Sequence, residues 1–135
     1  MVFDANTLIS AMISRADPPA ATVLAVERAH AGASVAIVCP MLLTELERAL
    51  RRPRMRSSIR LDEVPAILQW VLGASEVVED PATIEEVCRD PGDDYLVAVA
   101  KVQGAAIVTG DGDLHALRER TTIRILTARE YLDLV

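Results

Sequence analysis

The sequence predicts an α/β fold in layers, with helices packed on a mostly parallel sheet. Short apolar runs rich in valine and isoleucine alternate with helical patterns along the whole chain, and this alternation is typical of parallel sheets. The chain has 135 residues, a length that predicts a single domain over residues 1–135 with a substantial core. Apolar residues make up 51% of the chain and charged residues 25%, which excludes disordered and collagen-like proteins.

Strands are predicted where a short apolar run ends at Asp, Pro, Gly or Thr. Four runs have this pattern: Met1–Phe3, Val35–Cys39, Ala105–Val108 and Ile123–Leu126. A weaker fifth strand is predicted at Glu76–Val78.

Helices are predicted between the strands from apolar residues spaced three and four apart. Asp62 can cap a helix that ends at Gly73, and a capping box beginning at Thr127 opens the last helix. Tyr95–Val102 is apolar on nearly every side, which predicts a buried helix. The other predicted helices are Ala20–Ala31, Met41–Arg52 and Leu114–Arg120.

Nothing in the sequence indicates a membrane or secreted protein. The longest near-continuous apolar run, Val35–Leu43, contains Pro40 and is too short to span a bilayer. No basic segment precedes an apolar one as in a secretory signal. Cys39 and Cys88 lack CxxC spacing and are interpreted as small buried residues in a reducing compartment. A cytoplasmic protein is therefore expected.

The charges are unevenly distributed along the chain. Twenty acidic and fourteen basic residues give a net charge of −6, which argues against a general nucleic-acid coat protein. Six arginines nevertheless lie within Arg48–Arg60, a segment without acids. This basic run is either a solvated surface or a contact for RNA or a protein partner. The candidate RNA-binding residues are Arg48, Arg51, Arg52, Arg54 and Arg56.

Several acidic residues are expected at one edge of the sheet, since parallel strands present their carboxyl ends together. Asp4 directly follows the first strand, and Asp111 and Asp113 follow the strand at Ala105–Val108. A further pair, Asp93 and Asp94, lies where the buried helix begins.

Glu45 belongs to the same group because of its place on the helix after the second strand. At 100° per residue it falls at the border of the apolar arc of that helix, with Arg48 and Arg52 on the same side. We expect its carboxylate to lie half inside a cleft.

This concentration of carboxylates predicts a site for a divalent cation. Like charges within a few ångströms repel, so several carboxylates need a counter-charge at neutral pH. Mg²⁺ or Mn²⁺ takes oxygen ligands and can activate a water for attack on a phosphodiester. His30 and His115 are isolated, and no Gly-rich phosphate loop or serine-nucleophile motif is present.

Four segments in order, spread over nearly the whole chain, resemble the acidic motifs of PIN-domain nucleases. They are Phe3–Ala11, Thr44–Leu46, Asp90–Ala100 and Val108–Leu114. No one segment is specific, but the four in order are. The chain is most similar to stand-alone PIN proteins of the VapC type, toxin components of toxin–antitoxin systems.

The resemblance implies a three-layer α/β/α sandwich with a central parallel sheet, and a Mg²⁺- or Mn²⁺-dependent endoribonuclease. The catalytic and metal-binding acids of the family fall on Asp4, Glu45, Asp94 and Asp111. Four supporting residues would orient these acids or contact metal or water: Asn6, Asp93, Thr109 and Asp113. A cognate antitoxin and a homodimer are the implied partners.

Simpler interpretations of single residues stay open. Asp93 is the more natural cap of the buried helix, which would leave Asp94 for the site. Asp4 could be only a turn or helix-cap residue, and Asn6 and Asp113 could also be helix caps. Glu45 could pair with Arg48.

Two other functions also stay open. The first is a metal-dependent phosphatase or a receiver-like domain phosphorylated on Asp4, although the only lysine, Lys101, lies inside the buried helix. The second is a non-catalytic PIN-like binding module.

Overall fold

A five-stranded sheet in which every pair is parallel forms the centre of the structure, a computed structural model that describes residues 1–135. Its strands are β1 Val2–Phe3, β2 Ala36–Val38, β3 Ser75–Val77, β4 Ile107–Val108 and β5 Ile125–Leu126. The order across the sheet is β3-β2-β1-β4-β5. The chain adds β2 and β3 on one side of β1 and then crosses to add β4 and β5 on the other. The topological switch point therefore lies between β1 and β4, where ligands bind in sheets of this kind.

All five predicted strands are present, each two or three residues long. The weak fifth run becomes β3 at the edge of the sheet, paired from Ala36↔Ser75 to Val38↔Val77. Its sequence signal is weak because an edge strand exposes more of its surface, and Glu76 and Val77 are exposed.

Seven α-helices surround the sheet: α1 Ala5–Ile13, α2 Ala21–Arg28, α3 Pro40–Leu50, α4 Val64–Gly73, α5 Asp94–Gln103, α6 Gly112–His115 and α7 Ala128–Leu134. Short 3₁₀ turns cover Pro53–Ser57, Leu61–Glu63 and Pro91–Asp93, and a π-helical turn covers Ala29–Ala33. No helix is both long enough and apolar enough to cross a membrane.

The core is built mainly from the apolar sides of these helices. On α3 the predicted arc is observed, since Leu42, Leu46 and Leu50 are buried. The α5 helix packs on β1 and β4, while α7 packs on α2 and places Tyr131 edge-on against Phe3 with ring centroids 5.7 Å apart. Because crossovers between parallel strands are almost always right-handed, this strand order is expected to place α1–α4 and α5 on opposite faces of the sheet. The α/β fold with a parallel sheet flanked by helices is thus confirmed.

The capping box at the start of the last helix is confirmed. The Thr127 N–H donates to Glu130 Oε2 at 2.8 Å, and the Glu130 N–H donates to Thr127 Oγ1 at 3.1 Å. The predicted cap at Asp62 is wrong: a 3₁₀ turn precedes α4, and the Asp62 side chain accepts a hydrogen bond from Arg60 instead.

Two further caps differ from the predictions. The first helix begins at Ala5 and is capped by Asp4, so Asn6 lies inside it. The predicted helix Leu114–Arg120 is wrong, because α6 covers only Gly112–His115 and is capped by Asp111, not by Asp113. In both cases an aspartate directly before the helix already accepts an N–H group of its first turn.

The two cysteines are free thiols, as expected. Cys39 is buried at the end of β2 and Cys88 is half-buried before α5.

Candidate active site

Asp4 lies at the carboxyl end of β1, in the centre of the sheet, with a side chain that is only 6% exposed. Its Oδ1 accepts the Thr7 N–H of the first turn of α1 at 2.8 Å. Its Oδ2 accepts the hydroxyl of Thr109, which follows β4. The carboxylate is thereby fixed at the switch point between β1 and β4.

Thr109 links two of the predicted acids. While its hydroxyl donates to Asp4, the same oxygen accepts the N–H of Asp111 at 3.0 Å. Asp111 then caps α6 by accepting the Asp113 N–H at 2.9 Å, which leaves its second carboxylate oxygen without a partner in the chain. Thr109 is 1% exposed, so this linkage is shielded from water.

Glu45 is held from the opposite face of the sheet. Its Oε2 accepts the hydroxyl of Tyr95, a buried residue of α5. Burial and the hydrogen bond to Glu45 raise the pKa of Tyr95, so the phenol stays protonated and donates. Glu45 forms no ion pair with Arg48. The neighbouring Glu47 pairs with Arg51 at 3.1 Å instead.

The adjacent residues Asp93 and Asp94 have different surroundings. Asp94 is 3% exposed, and its Oδ1 accepts the N–H groups of Val87 at 3.1 Å and Cys88 at 2.7 Å. Burial would raise the pKa of Asp94, but these hydrogen bonds lower it below its usual value. The Asp94 side chain therefore anchors the loop that precedes α5.

Asp93 shares its surroundings with the other acids. It occupies the position before α5, yet its side chain accepts no hydrogen bond from the chain, because the 3₁₀ turn Pro91–Asp93 directly precedes the helix. Burial, followed by the negative charges of Asp90, Asp111, Glu45 and Asp4, raises the pKa of Asp93 to about 6. The Asp93 carboxylate is thus close enough to these acids to be repelled by them.

The donor chemistry of this group fits a hard divalent cation. No three His, Cys, Asp or Glu side chains are placed as a closed metal-binding cluster. Mg²⁺, however, is usually bound through one or two carboxylates and keeps several of its waters. Asp93 offers a carboxylate without hydrogen-bond partners, and its pKa is raised by burial and then by nearby negative charges, which a cation would offset.

The arginines of the basic run have unequal roles. Arg60 pairs with Asp62 at 3.0 Å, and the half-buried Arg56 donates to the carbonyl oxygen of Leu50 at the end of α3. Three exposed arginines form no ion pair: Arg48, Arg52 and Arg54. Of these, Arg54 lines a groove that also contains Asn6.

Two residues near the acids were not identified from the sequence. Tyr95 supports Glu45, and a phenol inside an otherwise apolar helix was a signal for this role. His115 is isolated in the sequence, but its Nε2 lies 2.8 Å from the carbonyl oxygen of Thr109, the residue that links Asp4 and Asp111. No sequence pattern indicated that contact, because it depends on how α6 folds back on the end of β4.

Known proteins resemble this chain in sequence and in fold. The uncharacterized protein MJ1680 of Methanocaldococcus jannaschii is 25% identical over 141 aligned residues, covering 98% of this chain and 89% of that protein. The crystal structure of PAE2754 from Pyrobaculum aerophilum superposes with a TM-score of 0.65 and 21% identity, covering 98% of this chain and 86% of the other.

A second solved structure has the same fold. It is the crystal structure of VapBC2 from Rickettsia felis bound to a DNA fragment from their promoter, with a TM-score of 0.63, 13% identity, and coverage of 94% of this chain and 98% of the other. Residues 1–113 match the PIN domain family, and they include all the acids described above. The chain therefore belongs to the PIN domain family.

Proposed function

We propose that the protein is a Mg²⁺- or Mn²⁺-dependent endoribonuclease whose site is formed by Asp4, Glu45, Asp93 and Asp111. The observation that carries the proposal is the placement of these carboxylates around the switch point of the sheet, where the charges of Asp111, Glu45 and Asp4 add to burial in raising the pKa of Asp93. Members of the PIN domain family are typically nucleases, which supports hydrolysis of a phosphodiester.

Within this proposal each acid has a support of its own. Thr7 and Thr109 fix the Asp4 carboxylate, Thr109 also positions Asp111, and Tyr95 orients Glu45. These contacts hold the acids in place before substrate binds, which is the preorganisation that catalysis requires.

The third acid of the site is proposed to be Asp93, with Asp94 as a positioning residue. The Asp94 carboxylate is already engaged by two backbone N–H groups, whereas the Asp93 carboxylate is free to face a cation. When bound, the cation would supply a polarised phosphate oxygen and an activated water. The carboxylates of the chain would hold it and accept protons from its water ligands.

The experiment that tests this function is RNA cleavage by the wild type and by Asp4→Asn, each with Mg²⁺, Mn²⁺ or EDTA. We expect cleavage by the wild type in either metal and none in EDTA. Asp133→Asn, on the exposed end of α7, is the matched control and should cleave like the wild type. Full activity of folded Asp4→Asn would refute the proposed site. A phosphatase assay at the same metal concentration distinguishes the ribonuclease from a small-molecule phosphatase, because only the latter would hydrolyse a small phosphomonoester.

We also propose that the protein is the toxin of a toxin–antitoxin pair and forms a homodimer in solution. The likeness in fold to VapBC2 supports this proposal. Light scattering of the purified chain tests the homodimer, and a monomer at micromolar concentration would contradict it. Co-purification with the product of the adjacent gene tests the toxin–antitoxin pair, and absence of a complex with that product would contradict the pair.

A further inference from the structure

A groove between α1 and the segment that follows α3 leads away from the acidic site. The face of α1 that lines it carries Asn6, Ile9, Ser10 and Ile13, spaced as one side of a helix. Its volume is about 430 Å³, within the range of sites that bind small molecules.

Each wall of the groove contains a residue that lies close to one of the acids along the chain. Asn6 comes two residues after Asp4 at the start of α1, and Ala49 lies one helical turn beyond Glu45 on α3. A strand with its phosphodiester at the acids could therefore continue directly into the groove.

The chemistry of the lining suits a nucleotide. Arg54 is the only charged residue there, and it has no ion-pair partner. The Asn6 side chain has no hydrogen-bond partner within the chain. The Ser10 hydroxyl is bonded to that of Thr22 and Ser14 Oγ accepts the Ala16 N–H, so each keeps only part of its hydrogen-bonding capacity for a ligand. Arginine, asparagine and serine are common phosphate contacts, while an apolar floor can accept a sugar or base.

No acidic residue lines this groove, which sets it apart from the larger apolar groove between α1, α2 and α4. That one has a volume of about 570 Å³ and contains three acids, Glu27, Asp62 and Glu63, against one base, Arg15. Its negative charge would repel a phosphate backbone.

Resting on the proposed nuclease function, we infer that the Arg54 groove binds the nucleotide next to the scissile phosphate of a single-stranded RNA. Arg54 contacts the phosphate of that nucleotide, and Ile9 and Ile13 contact its sugar or base. The strand must be single, because a base can reach the groove floor only when it is unpaired and unstacked. The rest of the basic run plays no part in this subsite.

The test is the affinity for a fluorescent oligouridylate of about 12 nucleotides, measured by anisotropy in EDTA. Arg54→Gln should bind about tenfold more weakly than the wild type, the loss expected for one charged hydrogen-bonded contact. The plot of log affinity against log salt concentration should be less steep for Arg54→Gln than for the wild type, by about 0.7 in slope. Arg54→Lys keeps the positive charge but not the planar guanidinium group, so its affinity should lie between those of the wild type and Arg54→Gln.

Arg52→Gln is the matched control, since Arg52 lies two residues away, is exposed and unpaired, and is absent from the groove. It should bind within about twofold of the wild type if the subsite is specific. Equal losses in Arg52→Gln and Arg54→Gln would indicate a diffuse basic surface and overturn the inference. An equal effect of Arg54→Gln on binding of a matched RNA duplex would overturn the single-strand assignment.

The outcomes for the subsite and for the nuclease are separable. Wild-type protein that binds the oligouridylate through Arg54 but cleaves no RNA in Mn²⁺ would support the subsite and contradict the nuclease. RNA cleavage by the wild type, together with unchanged oligouridylate binding by Arg54→Gln, would support the nuclease and contradict the subsite. Absence of oligouridylate binding by the wild type in EDTA would overturn the subsite, whereas the nuclease is decided by the cleavage assay in Mn²⁺.

Discussion

At the scale of single residues, the acids of this protein are defined by the groups that hold them. Asp4 has two donors, Thr7 N–H and the Thr109 hydroxyl, and Glu45 has the Tyr95 hydroxyl. Both donor hydroxyls belong to buried side chains, so they cannot turn away toward solvent. The positions of these two carboxylates are thus fixed by groups of the core.

Tyr95→Phe should lower RNA cleavage by at least about tenfold, because Glu45 loses the hydrogen bond that orients it. The free energy of unfolding should fall by about 1 kcal/mol. Tyr131→Phe is the matched control, because it also removes the hydroxyl of a buried tyrosine. Tyr131 lies on α7, and its hydroxyl is hydrogen-bonded to that of Ser34 at 2.7 Å. It should lose similar stability and keep its activity. Equal losses of activity in both variants would show that Tyr95 acts only through stability.

At the scale of elements, the start of α5 separates two adjacent carboxylates. Successive residues of a helix point about 100° apart, so one carboxylate can face the other acids while the next faces the preceding loop. Asp93 is close to the acids and Asp94 bonds to Val87 and Cys88. The two residues are chemically identical, and only their phase on the helix gives them different roles.

Sequence patterns predicted the elements well but not this phase. The strands, the apolar arc of α3 and the capping box at Thr127 each depend on local spacing, which the sequence displays. The orientation of Asp93 depends on the 3₁₀ turn at Pro91–Asp93, and the caps at Asp4 and Asp111 depend on where each strand stops. A shift of one residue in any boundary exchanges the roles of neighbouring acids, and propensity does not fix boundaries that closely.

The pKa values of Asp93 and Asp94 predict opposite effects of substitution on stability in EDTA. Asp93 has a raised pKa in the folded state, so its ionisation destabilises the protein as pH rises from about 4 to about 6. Asp93→Asn should therefore stabilise the protein at pH 7.5, by about 1 kcal/mol after allowance for solvent screening. Urea unfolding at pH 5 and pH 7.5 measures this, and the gain should be smaller at pH 5.

Asp94 has a lowered pKa, so its ionised form contributes stability above its unfolded pKa, and that contribution is lost as pH falls toward the folded value. Asp94→Asn should destabilise the protein at pH 7.5 by about 1 kcal/mol, since charged acceptors form the stronger hydrogen bonds. Changes of the same sign in the two variants would contradict the orientations described here.

At the scale of the whole molecule, the site joins elements that are distant in the chain. Asp4 follows β1, Glu45 lies on α3, Asp93 precedes α5 and Asp111 follows β4. These elements meet because β1 is central and the chain crosses from β3 to β4 over it. The net charge of −6 is therefore compatible with a protein that handles RNA, because part of the acidity is concentrated where a cation would neutralise it.

A cation bound between these elements should stabilise the whole fold. At a Mn²⁺ concentration of about 100 times the dissociation constant, the free energy of unfolding should rise by about 2.7 kcal/mol. The melting temperature should rise by about 10 °C for a chain of this size. Differential scanning calorimetry of the wild type and of Asp4→Asn checks this, and an equal rise in both would mean that Mn²⁺ binds elsewhere.

The most direct test of the four-carboxylate site is calorimetric titration of Mn²⁺ into the wild type, Asp93→Asn and Asp94→Asn, with folding checked by circular dichroism. The account predicts that the wild type binds Mn²⁺ and that Asp93→Asn binds at least about tenfold more weakly, because it loses a ligand carboxylate. Asp94→Asn should retain the wild-type affinity within about threefold. Loss of binding in Asp94→Asn with retention in Asp93→Asn, or no binding by the wild type, would contradict it.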